Sequence, residues 1–219
     1  MWCVATIDKD YRTRLLDVVK IYERPYDARQ PVVCFDEKMV ELRADVRAVR
    51  RRRNGMVLRD AEYRRCGTAN VFVMTEPRGG RHYVRVTKRR TATDFANALQ
   101  FLAGRYHKAT TIHLVMDNLN IHCAASLERT FGQVAGRRLW RRFTVHHTPK
   151  HGSWLNQAEL AISVMTTACL RRRRIPSLIQ LRAAVSQFWA HKRATHWTID
   201  WTWTSHHARS WLKHHGTRH

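Results

Sequence analysis

One pattern constrains the fold more than any other: a short, apolar, β-branched run that ends on a carboxylate occurs twice. Val32-Val33-Cys34-Phe35 runs into Asp36, and Thr111-Ile112-His113-Leu114-Val115-Met116 runs into Asp117. Runs of this length and composition suit buried strands. Between them, Ala69–Thr75 and Tyr83–Val86 flank Pro77-Arg78-Gly79-Gly80, a hairpin signature. A helix follows, with Thr93 as its cap and Phe95, Ala98, Leu99 and Leu102 recurring every three or four residues up to Tyr106.

The second half continues the alternation. Ala124 to Phe131 reads as a short helix and Phe143-Thr144-Val145-His146-His147 as a strand. Ser153 is then expected to cap a long helix whose apolar stripe, Trp154, Leu155, Ala158, Ile162, Met165 and Cys169, faces the core. Pro176 and Ser177 start another helix through Trp189. Strands separated by crossover helices predict an α/β fold, a mixed sheet with helices on both faces. The expected organisation is a lead-in helix over 1–30, a main domain over 31–190 and a basic Trp/His-rich tail over 191–219. Residues Arg43 to Cys66, with Arg50-Arg51-Arg52-Arg53-Asn54-Gly55, read as an exposed loop.

Charge narrows the partner. The chain sets 40 Lys and Arg against 17 Asp and Glu, a formal +23, yet 44% of it is apolar, enough for a core. A polyanion is the natural partner, and nucleic acid is favoured because each neutralised phosphate releases a counterion. No stretch approaches the about 20 apolar residues of a membrane span, and Asp8 interrupts the opening run too early for a signal peptide. A cytoplasmic protein without membrane contact is therefore expected. Cys3, Cys34, Cys66, Cys123 and Cys169 form no C-x-x-C pair, and the histidines lack zinc-site spacing.

In so basic a chain, acids in apolar surroundings are informative, because burying an unpaired carboxylate is costly. Asp36 and Asp117 each end a strand, and Glu159 lies in a helix beside the apolar stripe. Side chains at the carboxyl ends of neighbouring strands converge on one crevice. Three carboxylates meeting there repel unless hard cations bridge them, and magnesium is the natural choice. Two such ions serve phosphodiester chemistry. Glu37 lies on the strand face opposite Asp36, and periodicity leaves open which face is the site. It also leaves open that these acids only end strands or pair with arginines.

The blocks Val33-Cys34-Phe35-Asp36-Glu37-Lys38, Leu114-Val115-Met116-Asp117-Asn118-Leu119-Asn120-Ile121-His122 and His147-Thr148-Pro149-Lys150-His151-Gly152-Ser153-Trp154-Leu155-Asn156-Gln157-Ala158-Glu159 together resemble the bacterial insertion-sequence transposases of the mariner superfamily, the IS-six-thirty group. That resemblance implies a ribonuclease H-like five-stranded sheet flanked by helices. It also implies an Asp-Asp-Glu triad at Asp36, Asp117 and Glu159, holding two Mg2+ ions that Mn2+ can replace. The implied reaction is hydrolysis of a phosphodiester at an element end, then attack of the freed 3′-hydroxyl on target DNA. Lys38, Asn118, His122, Lys150, His151 and Asn156 flank the triad and, with Arg171 and Arg172, are the expected DNA contacts. Trp154 is expected in the core. Double-stranded DNA, both element ends and target, is the implied partner, with a homodimer assembled on it in the bacterial nucleoid. The family's N-terminal helix-turn-helix region has no counterpart before Asp36: either a partner reading frame or a frameshift supplies it, or the chain is a fragment. Two rivals remain: a DNA-binding remnant without catalysis, and a nuclease that only hydrolyses.

Overall fold

The computed structural model describes residues 7–215. The opening run and Cys3 lie outside the described residues, as do the last four residues of the expected tail. The order is α1 (Lys9–Glu23), β1 (Val32–Asp45), β2 (Arg50–Arg51), β3 (Val57–Leu58), β4 (Tyr63–Glu76), β5 (Arg81–Thr87), α2 (Ala92–Arg105) and β6 (Ile112–Met116). Then come α3 (Ala124–Phe131), α4 (Gln133–Trp140), β7 (Phe143–His147), α5 (Ala158–Met165), α6 (Leu178–Ala194) and α7 (Ser205–His215).

Five strands form one mixed sheet in the order β5-β4-β1-β6-β7. β1, β6 and β7 are parallel, whereas β1–β4 and β4–β5 are antiparallel. The expected α/β sheet flanked by helices is present. On one face Val33, Phe35, Phe72, Met74, Leu114 and Met116 pack against Phe95, Leu99 and Leu102 of α2 and Leu127 of α3. On the other, Val71 and Val73 pack against Ala161, Ile162 and Met165 of α5 and Trp189 of α6. The same face carries Cys34 and Val115, which meet Leu15, Val18 and Val19 of α1. α7 closes that corner: Ala208 and Leu212 are buried there, Trp211 stacks on Tyr11 with centroids 6.2 Å apart, and Glu23 accepts a hydrogen bond from Ser205 N at 2.8 Å.

Several expectations change. β1 and β4 each continue for 14 residues and rise beyond the sheet as a two-stranded arm, tipped by the β2–β3 hairpin, where an exposed loop was expected. Alternating ladder bonds and the pairs Arg59–Asp45, Arg174–Asp45 and Arg65–Glu41 hold the arm, and those partners are distant in sequence. The α2 cap is Thr91, not Thr93: its hydroxyl accepts from Asp94 N while the Asp94 carboxylate accepts from Thr91 N, a reciprocal box. Between the expected helix and strand the chain forms α4, whose Gly136 lies against the Leu127–Glu128 backbone of α3, too close for any Cβ. The long helix expected from Ser153 is broken: Ser153–Leu155 is a single 3₁₀ turn, α5 starts at Ala158, and a π turn, Thr166–Leu170, ends it. Among the described residues Cys34, Cys66, Cys123 and Cys169 are free, and no helix is long and apolar enough to cross a membrane.

Candidate active site

β1 and β6 pair only from Val32↔His113 to Cys34↔Val115. Beyond that point β1 turns wholly to β4, with Asp36 opposite Val73, and β6 ends at Met116. Asp36 and Asp117 each lie two residues past the last pair. A crevice opens where parallel strands part at their carboxyl ends.

Asn156 brings the third acid to the crevice. Its side chain is buried; Nδ2 donates to Phe35 O at 2.8 Å and to Asp36 Oδ2 at 3.4 Å, and Oδ1 accepts from Ala158 N at 3.2 Å. One amide thus ties β1 to the first turn of α5. Tyr22 adds a tie from α1, donating to Leu155 O at 2.8 Å. Glu159 therefore sits exposed in the first turn of α5, beside Asp36, where free N–H groups and the helix dipole favour a carboxylate.

The charges respond to this crowding. Burial, with the neighbouring charges of Glu159, Glu37 and Asp117, raises the Asp36 carboxyl to about 7, although its Oδ1 accepts from Glu37 N at 2.8 Å. Asp117 behaves oppositely. Burial would raise it, but the hydrogen bonding and charge of His122 outweigh burial and hold it below the ordinary value. His122 Nδ1 lies 2.6 Å from Asp117 Oδ1 and 3.3 Å from the Asp117 carbonyl oxygen. Burial opposes the charge on His122 as well, yet contacts with Asp117 and Glu37 raise it to about 9.

The remaining expected residues fall into three groups. Asn118, Lys150 and His151 line one groove with Asp117, and Lys38 is exposed two residues along β1 from Asp36. Arg171 and Arg172 are exposed at the far end of the π turn; Arg172 O accepts from Arg59 at 2.9 Å, which puts them beside the arm. His122 and Asn156 are buried with polar partners inside the protein, so neither offers a surface to DNA. Trp154 was expected in the core but is 44% exposed, leaning on Trp203 and Trp211, because the helix that would have buried it does not form. Glu37 and Arg90, neither among the expected metal or DNA contacts, join the site. Glu37, on the α2 side of β1, pairs with His122 and with Arg90 Nη1 at 3.2 Å. Strand alternation already set it opposite Asp36, and no sequence signal marks its partners.

The donor set suits a hard divalent ion. It is all carboxylate oxygen, and in the absence of a cation Asp36 keeps its proton up to about pH 7. Among the described residues no three or more histidine, cysteine, aspartate and glutamate side chains are gathered tightly enough to hold a metal by themselves. The charges of Glu159, Glu37 and Asp117 all act on Asp36, but the acids form no closed cage.

A family model described as DDE superfamily endonuclease matches residues 31–182. None of the curated proteins matches the chain. Among solved structures, the fold resembles the Mos1 mariner paired-end complex with Mn at a TM-score of 0.59 and 12% identity, covering 100% of this chain and 66% of that one. It resembles the Mos1 transposase paired-end complex with left transposon end at 0.62 and 15%, covering 99% and 66%. The Mos1 strand transfer complex gives 0.61 and 16%, covering 95% and 61%. The chain spans about two thirds of the length of those chains.

Proposed function

Because the chain belongs to the DDE superfamily endonuclease family, we propose that it is the catalytic part of a transposase of the bacterial IS-six-thirty type, cutting and joining DNA at element ends. Asp36, Asp117 and Glu159 are the triad in this reading. The observation that carries it is geometric: Asp36 and Asp117 each stand two residues past the last β1–β6 pair, and Asn156, bonded to Asp36, precedes the helix turn that carries Glu159.

The three carboxylates would hold magnesium or manganese, which when bound activates an attacking oxygen and stabilises a leaving one. The chain's own residues prepare that chemistry. Glu37 N–H and Asn156 Nδ2 fix the two oxygens of Asp36. Asp117 buries Oδ1 against His122 while its side chain stays 46% exposed, so its other oxygen is turned to the groove. Asn118, Lys150 and His151 line that groove with donors suited to a phosphate. The Mn and Mg complexes of Mos1 support the metal, and its complexes with transposon ends support duplex DNA as partner. A homodimer on DNA completes the reading, in a bacterial cytoplasm.

Nicking of supercoiled plasmid in Mg2+ or Mn2+ tests it. Wild type should nick, chelation with EDTA should stop it, and Asp36→Asn, Asp117→Asn and Glu159→Gln should each abolish it while still binding DNA. Nicking that survives Asp117→Asn refutes the mechanism. A wild type that binds DNA without nicking in either metal would make the chain a non-catalytic remnant.

A further inference from the structure

We infer that Glu37 and His122 are positioning residues that lock the Asp117 carboxylate in place, holding one oxygen inside the protein so that the other faces the groove. The inference rests on the reading of Asp117 as a metal ligand. Six buried side-chain polar atoms among the described residues lack an aligned hydrogen-bond partner, and three of them, Asp117 Oδ1, His122 Nε2 and Glu37 Oε2, are neighbours in this one place. Such atoms are scarce in folded proteins, and each needs a reason.

The geometry forms a file from the surface to the groove. Arg90, between β5 and α2, reaches Glu37 Oε1 at 3.2 Å. Glu37 Oε1 lies 3.5 Å from His122 Nε2, and His122 Nδ1 lies 2.6 Å from Asp117 Oδ1. The His122 side chain is 0% exposed and that of Glu37 only 4%. The imidazole lies over Phe95, with centroids 4.7 Å apart, and edge-on to Phe35 at 5.6 Å, so it has no room to swing away from Asp117. His122 N also donates to Leu119 O at 2.8 Å, which fixes the loop carrying the ring.

A purely structural role accounts poorly for this file. Its neighbours on that face are Phe35, Phe72, Phe95 and Met116, and an apolar side chain at position 37 would join them without burying a carboxylate. Buried ion pairs often stabilise less than apolar packing of the same volume. Carboxylates that ligate metals, by contrast, are themselves held by hydrogen bonds, and loss of such a partner costs roughly 10–100-fold in metal affinity or activity.

The test compares the full chain with Glu37→Gln, His122→Gln and the double variant, measuring Mn2+ binding by paramagnetic resonance titration and folding by urea denaturation. Each single variant should stay folded and raise the half-saturating Mn2+ concentration roughly 10–100-fold. The double variant should bind no worse than His122→Gln, because Glu37 acts through the ring. Unchanged Mn2+ affinity in folded Glu37→Gln overturns the inference, and so do effects that add. If His122→Gln does not fold, the near-isosteric Glu37→Gln decides alone. Asp117→Asn separates the two levels: loss of binding there with Glu37→Gln unchanged defeats only the positioning role, whereas unchanged binding in Asp117→Asn defeats the ligand assignment beneath it.

Discussion

Asp36 is where sequence position and electrostatics meet most directly. Its folded value, about 7, lies above the ordinary carboxylate value of 3.8 because burial and three nearby acids disfavour the charge. A raised folded value means that the native state holds a proton the unfolded chain has released. The stability so gained is fully present below about pH 4 and is lost as pH rises through about 7. In EDTA, Asp36→Asn should therefore match wild type near pH 4 and exceed it at pH 8 by on the order of 2 kcal/mol in urea denaturation. A variant no more stable than wild type at pH 8 would show that burial and the neighbouring acids do not raise Asp36. The residue scale was only partly legible. That the three acids converge could be argued from two strand ends and one helix, but which face of β1 holds the site depends on the placement of α5. The buried roles of His122 and Asn156 depend on partners from other segments, Glu37 for one and Phe35 for the other, which no local pattern reveals.

At the scale of elements, Asn156 explains both a success and a failure of pattern reading. Local spacing favours a continuous helix from Ser153, since Trp154, Leu155 and Ala158 fall on one stripe. The chain instead stops after a single 3₁₀ turn, because the Asn156 amide bonds β1 and recaps the helix at Ala158. A side chain that binds the backbone competes with helix continuation. Asn156→Ala should destabilise the protein by about 1–3 kcal/mol, the cost of leaving Phe35 O unpartnered in the interior, and should lower nicking further by freeing Glu159 from Asp36. Urea denaturation measures the first effect and the plasmid assay the second; a variant as stable and as active as wild type would remove Asn156 from the site. The strands were the most readable elements, since β6 and β7 are short apolar runs between turn residues. The arm was not, because its strands are rich in arginine and are held by cross-strand pairs and by Arg174 from beyond α5. α4 escaped notice because it buries little beyond Gly136.

For the molecule as a whole, the proposed function gives the formal charge of +23 the role of holding DNA and the scarce acids that of the site. Binding of duplex DNA should weaken steeply with salt, as it does when phosphates displace condensed counterions. Lys150→Ala should lower affinity about equally for unrelated sequences and reduce the slope of log affinity against log salt by about 1, as measured by fluorescence anisotropy. An unchanged slope would remove Lys150 from the phosphate contacts. β1 adds a mechanical consequence. The strand that carries Asp36 is also one rail of the arm, and its ladder with β4 breaks register only once, between Glu41 and Arg43. From Asp36 to Asp45 the rail is about 30 Å long. A displacement of the arm tip thus has one break in the ladder, between Glu41 and Arg43, on its way along β1 to the backbone of Asp36. The strand that carries Asp36 and the arm that rises from the sheet are thus one continuous piece of backbone.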